Sequence, residues 1–240
     1  MRYVHDVTGR FKFRPYYEAD EIDTECERLI TAFMRERCGS LVLPVPTDML
    51  RKLIERDASD LDPYADLSDE EAFIDGVTDF FMDPDRKPAV RIAKGLSEDS
   101  RRETRLRTTL THEYFHVKFH GPLYELEART PKLFPEMKRM MPVKCHRDSI
   151  ASAASADWME WQAGYACGAL LMLASHVRQL VGEYVRRHGL LLRPRVNSAH
   201  AAELQRQVAE EFFVSPEAAR VRLLKLNCLT DQQADLPLPF

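Results

Sequence analysis

His112-Glu113-Tyr114-Phe115-His116 is the stretch of this sequence whose residue types and spacing suit chemistry best. On a helix, side chains four apart share a face, so both imidazoles can reach one metal ion. Glu113 stands beside the first ligand, where it can touch a metal-bound water without ligating the metal. Zinc held by three protein ligands keeps a position for that water and lowers its pKa to about 7. The carboxylate can then take the water's proton as it attacks a polarised carbonyl. The pentapeptide also arises on ordinary amphipathic helices, so its surroundings carry the decision.

Ser100-Arg-Arg-Glu103 reads as a capping box, and Gly121-Pro122 as a stop. Between them the spacing predicts one helix with Leu106, Leu110, Tyr114 and Val117 as its apolar stripe. His120 continues the histidine series, but two helical turns span roughly 11 Å. It therefore cannot share the ion and reads as a helix-end histidine.

A third ligand has several candidates. Asp157 opens a predicted long helix from Trp158 to about His188, closed by Gly189. Glu160 stands three residues after that N-cap, which suits a capping glutamate. It suits equally a ligand from a second helix. Ala163, Gly164, Ala166, Cys167, Gly168 and Ala169 would let the two helices approach closely. Asp157, Glu125 and Glu127 are further candidates. Cys145-His146 is a tempting pair, but adjacent residues rarely point at one ion.

The 240 residues suit one moderate domain, alone or with a small appendage. Cys26, Cys38, Cys145, Cys167 and Cys228 are scattered and form no C-x-x-C, as expected of reduced thiols in a cytoplasm. No run resembles a leader peptide or a membrane span; the richest, Ala166 to Ala174, is too short. The net charge of −4 argues against general nucleic-acid binding. Charge is uneven, however. Twelve Asp/Glu face one basic residue, Arg56, between Glu55 and Asp85, a rim that would suit a basic partner.

Residues 1–15 carry no clear period. Over residues 17–38, Tyr17, Ile22, Cys26, Leu29, Ile30, Phe33 and Met34 mark one face of a helix that Gly39 stops. Pro46 to Arg56 reads as a second helix, and residues 57–71 as an acidic loop. Phe73–Met82 and Pro88–Ala93 read as two strands across the turn Asp83-Pro-Asp-Arg-Lys. The second could pair with an extended substrate backbone. Near the C-terminus, a helix with Leu204, Val208 and Phe212 inward precedes a turn. There Ser215 is an N-cap and Pro216 follows at N1. Val221, Leu224 and Leu226 supply the next helix. The pair can be a helical hairpin on the core or a DNA-reading helix-turn-helix.

Three segments together carry a resemblance. They are Arg105-Leu-Arg-Thr-Thr-Leu-Thr-His112-Glu-Tyr-Phe-His116, then Glu160-Trp-Gln-Ala163…Ala169-Leu-Leu-Met172, then Phe212-Phe-Val-Ser-Pro-Glu-Ala-Ala-Arg-Val-Arg-Leu223. In order and character they resemble the ImmA/IrrE family of zinc-dependent endopeptidases over roughly residues 70–226. The resemblance implies His112 and His116 as Zn2+ ligands, Glu113 as general base and Glu160 as third ligand. It also implies a narrow protein substrate, often a helix-turn-helix repressor. Two features depart from the family. Leu173 stands where a proline is usual, so the helix can continue where relatives kink, and the stretch from His116 to Glu160 is long.

The expectation is an α+β, zincin-like metallopeptidase: a small antiparallel sheet over the H-E-x-x-H helix, plus a C-terminal helical hairpin. Residues 1–40 form an N-terminal helical arm, 41–190 the zinc metallopeptidase core, and 191–240 a helix-turn-helix-like segment and tail. The expected activity is peptide-bond hydrolysis in a cytoplasmic regulatory protein, with no membrane partner. Tyr124, His146 and Tyr165 are candidates for a second oxyanion donor. The rivals are a DNA-binding regulator with a silent metal site and a protein whose zinc is structural.

Overall fold

A computed structural model of the chain describes residues 1–70, 74–130, 141–146 and 157–230, the third stretch as backbone alone. It is a mixed α+β protein that falls into two compact units. The first comprises Met1–Ile22 and Pro46–Cys167, the second Asp23–Val45 and Gly168–Phe240. The division differs from the expected boundaries near 40 and 190, because neither unit is one continuous segment.

The first unit opens with a hairpin of β1 (Arg2–His5) and β2 (Phe13–Tyr16), paired Arg2 with Tyr16 and His5 with Phe13. The sequence has no period here because a turn residue does the organising. Buried Asp6 accepts from the backbone N–H groups of Thr8 and Phe11, each at 3.0 Å. Helix α1 (Ala19–Cys38) follows in the chain, counted in the second unit from Asp23 on, and ends at Gly39, φ +79°, as the expected stop. Its predicted face from Ile22 to Met34 is buried. Helix α2 (Thr47–Asp57) buries Leu50, Leu53 and Ile54.

Strands β3 (Asp60–Ala65), β4 (Ile74–Phe80), β5 (Ala89–Ala93) and β6 (Met141–His146) form one sheet in the order β3-β5-β4-β6. Strands β4 and β5 pair antiparallel as expected, Gly76 opposite Ile92. The sheet as a whole is mixed rather than antiparallel. Part of the expected acidic loop is β3, which joins β5 in parallel. Strand β5 is therefore interior, with β3 and β4 on its two sides, and has no edge for a substrate. The outer strands among the described residues are β3 and β6. Pro63, which lacks an N–H, sits in β3, where an outer strand tolerates it.

A one-turn helix α3 (Lys94–Ser97) and a 3-10 turn (Ser100–Arg102) lead to α4 (Glu103–Phe115). Asp99, not Ser100, caps this entry, accepting from Arg101 N at 3.1 Å. Glu103 does not close a capping box; it accepts from Thr47 Oγ1 at 2.7 Å. The chain does not stop at Gly121-Pro122 either. It passes through a π turn (His116–His120) into α5 (Gly121–Arg129). Proline is tolerated in a first helical turn because no N–H is needed there. Gly121 answers to crowding: an added Cβ would lie 3.1 Å from Pro88 Cγ.

Helix α6 (Trp158–Leu171) begins after Asp157, which accepts from Met159 N at 3.0 Å. Phe11, Phe80, Leu123, Tyr124, Trp158 and Met159 form a core cluster, with the Phe80 and Tyr124 rings stacked at 3.9 Å.

In the second unit, α7 (Ala174–His188) is separate from α6, so the single long helix expected from 158 to 188 is broken. Leu173 is extended, φ −57° and ψ 132°, and fully buried. The break needs no proline, because burying Leu173 fixes the chain there. Helix α8 (Ala199–Phe212) and α9 (Pro216–Lys225) form the expected hairpin, with Ser215 accepting from Ala218 N at 3.1 Å. The inward residues of α9 are Ala219, Arg222 and Leu223 rather than Val221 and Leu224. A buried arginine hides that face from a hydrophobic pattern. Among the described residues no helix is long and apolar enough to cross a membrane.

Candidate metal centre

Helix α4 is enclosed on nearly every side. Its stripe of Leu106, Leu110 and Tyr114 is buried, and so are Thr109, Thr111, His112 and Glu113. A helix with a polar face usually turns that face to water. Here β4 covers it, and all seven β4 residues are buried. The close approach rests on Gly76: an added Cβ would lie 2.8 Å from Thr109 Cγ2 and 2.9 Å from Glu113 Oε1. Two residues along, on the same face of the strand, Thr78 Oγ1 donates to Glu113 Oε2 at 2.6 Å.

Helix α6 supplies the third group. Glu160 Oε2 lies 3.2 Å from His112 Nε2, and Glu160 Oε1 lies 3.2 Å from His116 Nε2. The two Nε2 atoms are 3.1 Å apart. His112, His116 and Glu160 thus converge as a buried group that could hold a metal ion. Bonds of about 2.0–2.2 Å to a tetrahedral ion put ligand atoms about 3.3–3.5 Å apart, so the trio needs only a few tenths of an ångström of opening. The capping role considered for Glu160 is taken by Asp157, whose carboxylate holds the start of α6 while Glu160 faces the imidazoles. Asp157 also pairs with Arg10 at 3.1 Å, and Glu125 with Arg129 at 2.9 Å, so neither joins the trio. Glu127 lies outside it too.

Charge states follow from burial. Burial pushes the Glu113 carboxyl up, against the opposing pull of His112, His116 and Thr78. Burial acts the same way on Glu160, but the two imidazoles overcome it and hold that carboxyl well below the usual range. Two carboxylates that feel each other's charge are thereby driven in opposite directions. Glu113 Oε1 is buried and has no hydrogen-bond partner among the described residues. An unsatisfied buried acceptor costs about 1–3 kcal/mol, so it calls for a functional reason.

His120 is not a helix-end residue. The π turn carries it inward to full burial, with its Nδ1 2.9 Å from His116 Nδ1 and its Nε2 3.0 Å from Gln162 Oε1. Burial holds its pKa well below the ordinary histidine value, so the ring is neutral. Sequence spacing missed His120 and Gln162 because a π turn does not follow the 3.6-residue period. Thr78 and Gly76 had one weak signal, a glycine and a polar residue inside an otherwise apolar strand.

Of the other candidates, Tyr124 is built into the core, its hydroxyl 4.0 Å from Met159 Sδ, and burial pushes its pKa to about 12. Tyr165 is buried beside Trp161, ring centroids 6.0 Å apart. The side chains of Cys145 and His146 lie outside the described atoms. The described cysteines Cys26, Cys38, Cys167 and Cys228 form no disulfide.

Of the twelve acids between Glu55 and Asp85, several face inward. Asp75 is paired with Arg102 and Arg105, Asp79 with Arg91, and Asp57 with Arg56. Asp60, Asp62, Asp66 and Asp69 are exposed. No protein-family model matches the chain, and no curated protein matches it.

Proposed function

We propose that this chain is a zinc-dependent endopeptidase of the ImmA/IrrE type, with a zincin-like core, that cuts a regulatory protein in the cytoplasm. One observation carries the reading. Two imidazole nitrogens and a carboxylate converge at metal-ligand spacing, next to a buried carboxylate whose Oε1 has no partner. The donor set of two nitrogens and one oxygen suits zinc, and three protein ligands keep a fourth position open. Bound there, zinc would polarise the scissile carbonyl and lower the pKa of the attacking water to about 7.

The protein's own groups do the rest. His112, His116 and Glu160 hold the ion. Thr78 fixes the Glu113 carboxylate through Oε2 and leaves Oε1 to take the water's proton and deliver it to the leaving amine. Gly76 gives β4 room to lie against that carboxylate. An extended substrate segment would pair with the outer edge of β6, which has no strand partner among the described residues. The exposed carboxylates of Asp60, Asp62, Asp66 and Asp69 favour a basic substrate such as a helix-turn-helix repressor, in a salt-sensitive way.

Metal analysis and cleavage of a basic repressor test this together. Wild type should hold about one zinc per chain and cut at one or two sites while leaving casein intact. His112→Ala should lose both metal and cleavage. Glu113→Gln should keep the metal and lose about 10²–10⁴-fold in rate. A Glu113→Gln protein that cleaves normally would leave the structural-zinc reading standing, and efficient casein digestion would end the claim of narrow specificity. Duplex binding that survives His112→Ala, without cleavage in wild type, would favour the DNA-binding regulator.

A further inference from the structure

We infer that His120 and Gln162 are positioning residues: they place the proton of His116 on Nδ1 and so turn the Nε2 lone pair toward the metal. The inference rests on the metal-centre reading above and adds the device that prepares one ligand.

The carbonyl of Pro15, in β2, can only accept. Gln162 Nε2 lies 3.0 Å from that oxygen, so the amide nitrogen faces it. This orients the amide and leaves Gln162 Oε1 facing His120 Nε2 at 3.0 Å. An amide oxygen can only accept, so His120 carries its proton on Nε2. A neutral imidazole has one N–H, which makes His120 Nδ1 a lone pair. That lone pair lies 2.9 Å from His116 Nδ1, which must then be the donor. With its proton on Nδ1, neutral His116 has a bare Nε2, the atom that meets His112 and Glu160.

The polarity thus runs one way, from a backbone carbonyl through an amide and an imidazole to the ligand. Bulk water does not compete for these contacts, because His116 and His120 are fully buried and Gln162 is 1% exposed. Metal-binding histidines are commonly oriented by a carboxylate or carbonyl on the far nitrogen. Here a second imidazole takes that place, and its own tautomer is fixed from the β1–β2 hairpin. The π turn makes the contact possible by swinging His120 back over His116.

The test uses full-length protein and two readouts. In metal-free wild type with 15N-labelled histidine, at a pH where the histidines are neutral, His116 should show a protonated Nδ1 and a bare Nε2. Zinc affinity, measured by competition with a chromophoric chelator, should fall by about 10–100-fold in His120→Leu. His120→Gln should restore most of it, since its amide can accept from His116 and donate to Gln162. A merely structural role would lower the melting temperature of both variants without this split in affinity. A His116 protonated on Nε2, wild-type affinity in His120→Leu, or equal weakness in both variants would overturn the inference. Where His120→Leu does not fold, the tautomer measurement decides alone. A wild type that binds no zinc would count against the proposed function, whereas a wrong tautomer in a zinc-binding protein counts against this inference only.

Discussion

In the second unit the guanidinium of Arg222 is 1% exposed, yet Nη1 sits 2.7 Å from Asp23 Oδ1 and Nε donates to the Met172 carbonyl at 3.0 Å. In the first unit His112, Glu113 and His116 are as deeply buried, but their polar atoms converge on one another and leave Glu113 Oε1 unmatched. Both arrangements carry the desolvation cost of buried polar groups. The arginine meets an opposite charge and a backbone carbonyl within the fold, as a structural pair does. The site leaves acceptors aimed at a common point, which a fold without a ligand has no reason to keep. What separates the two is that one cation meets one carboxylate at Arg222, whereas three metal-ligating groups converge at the site.

The largest expected effect breaks the closed arrangement. Arg222→Leu leaves Asp23 buried without its cation and should cost about 3–5 kcal/mol in urea unfolding. Adding Asp23→Leu should return most of that. If the double variant is as unstable as the single, the pair is not what Arg222 contributes.

A pair of glycines sharpens the same contrast. Gly76→Ala forces a methyl against Thr109 and Glu113, so it should cost about 1–3 kcal/mol and also slow the proposed cleavage by displacing Glu113. Gly189 has φ +62° and open space around its added Cβ. Gly189→Ala should therefore cost only about 1–2 kcal/mol of backbone strain and leave cleavage unchanged. Equal rates for Gly76→Ala and wild type would show that β4 does not hold Glu113 in place.

The smallest effect is in the pH dependence of the metal-free protein. Burial holds Glu113 above its ordinary value of 4.5. Its protonated form suits the fold, so its contribution is complete below that value and is lost as pH rises through the folded pKa. Glu113→Gln should thus gain stability over wild type as pH rises toward neutral. Glu203 in the second unit, partly exposed, is held down to about 2 by Arg206 and Gln207. Its contribution has the opposite sign, present above 4.5 and lost as pH falls toward 2. Urea midpoints of Glu113→Gln and Glu203→Gln across pH should slope in opposite directions; parallel slopes would contradict the burial argument for Glu113.

Periodic features survived the passage from sequence to structure. The α1 face, the two strands around Asp83, the Gly39 and Gly189 stops and the Ser215-Pro216 entry are all local, so residue type and spacing are enough to specify them. The strand β3, the hairpin around Asp6 and the inward face of α9 were hidden. Each depends on a polar residue or a distant strand rather than on a run of apolar side chains.

For the site, the sequence by itself determined that His112 and His116 share a face and that Glu113 stands beside them, because one helical turn sets all three. It left Glu160 open between cap and ligand, and read His120 as an end residue. Tertiary structure decided both. Asp157 took the cap, the approach of α6 to α4 brought Glu160 within 3.2 Å of the imidazoles, and the π turn carried His120 back against His116. It also chose Thr78 and Gly76, from a strand more than thirty residues upstream, to hold and admit the Glu113 carboxylate. Contacts between residues so far apart in the chain leave no period to read, since only packing in three dimensions decides which side chains meet.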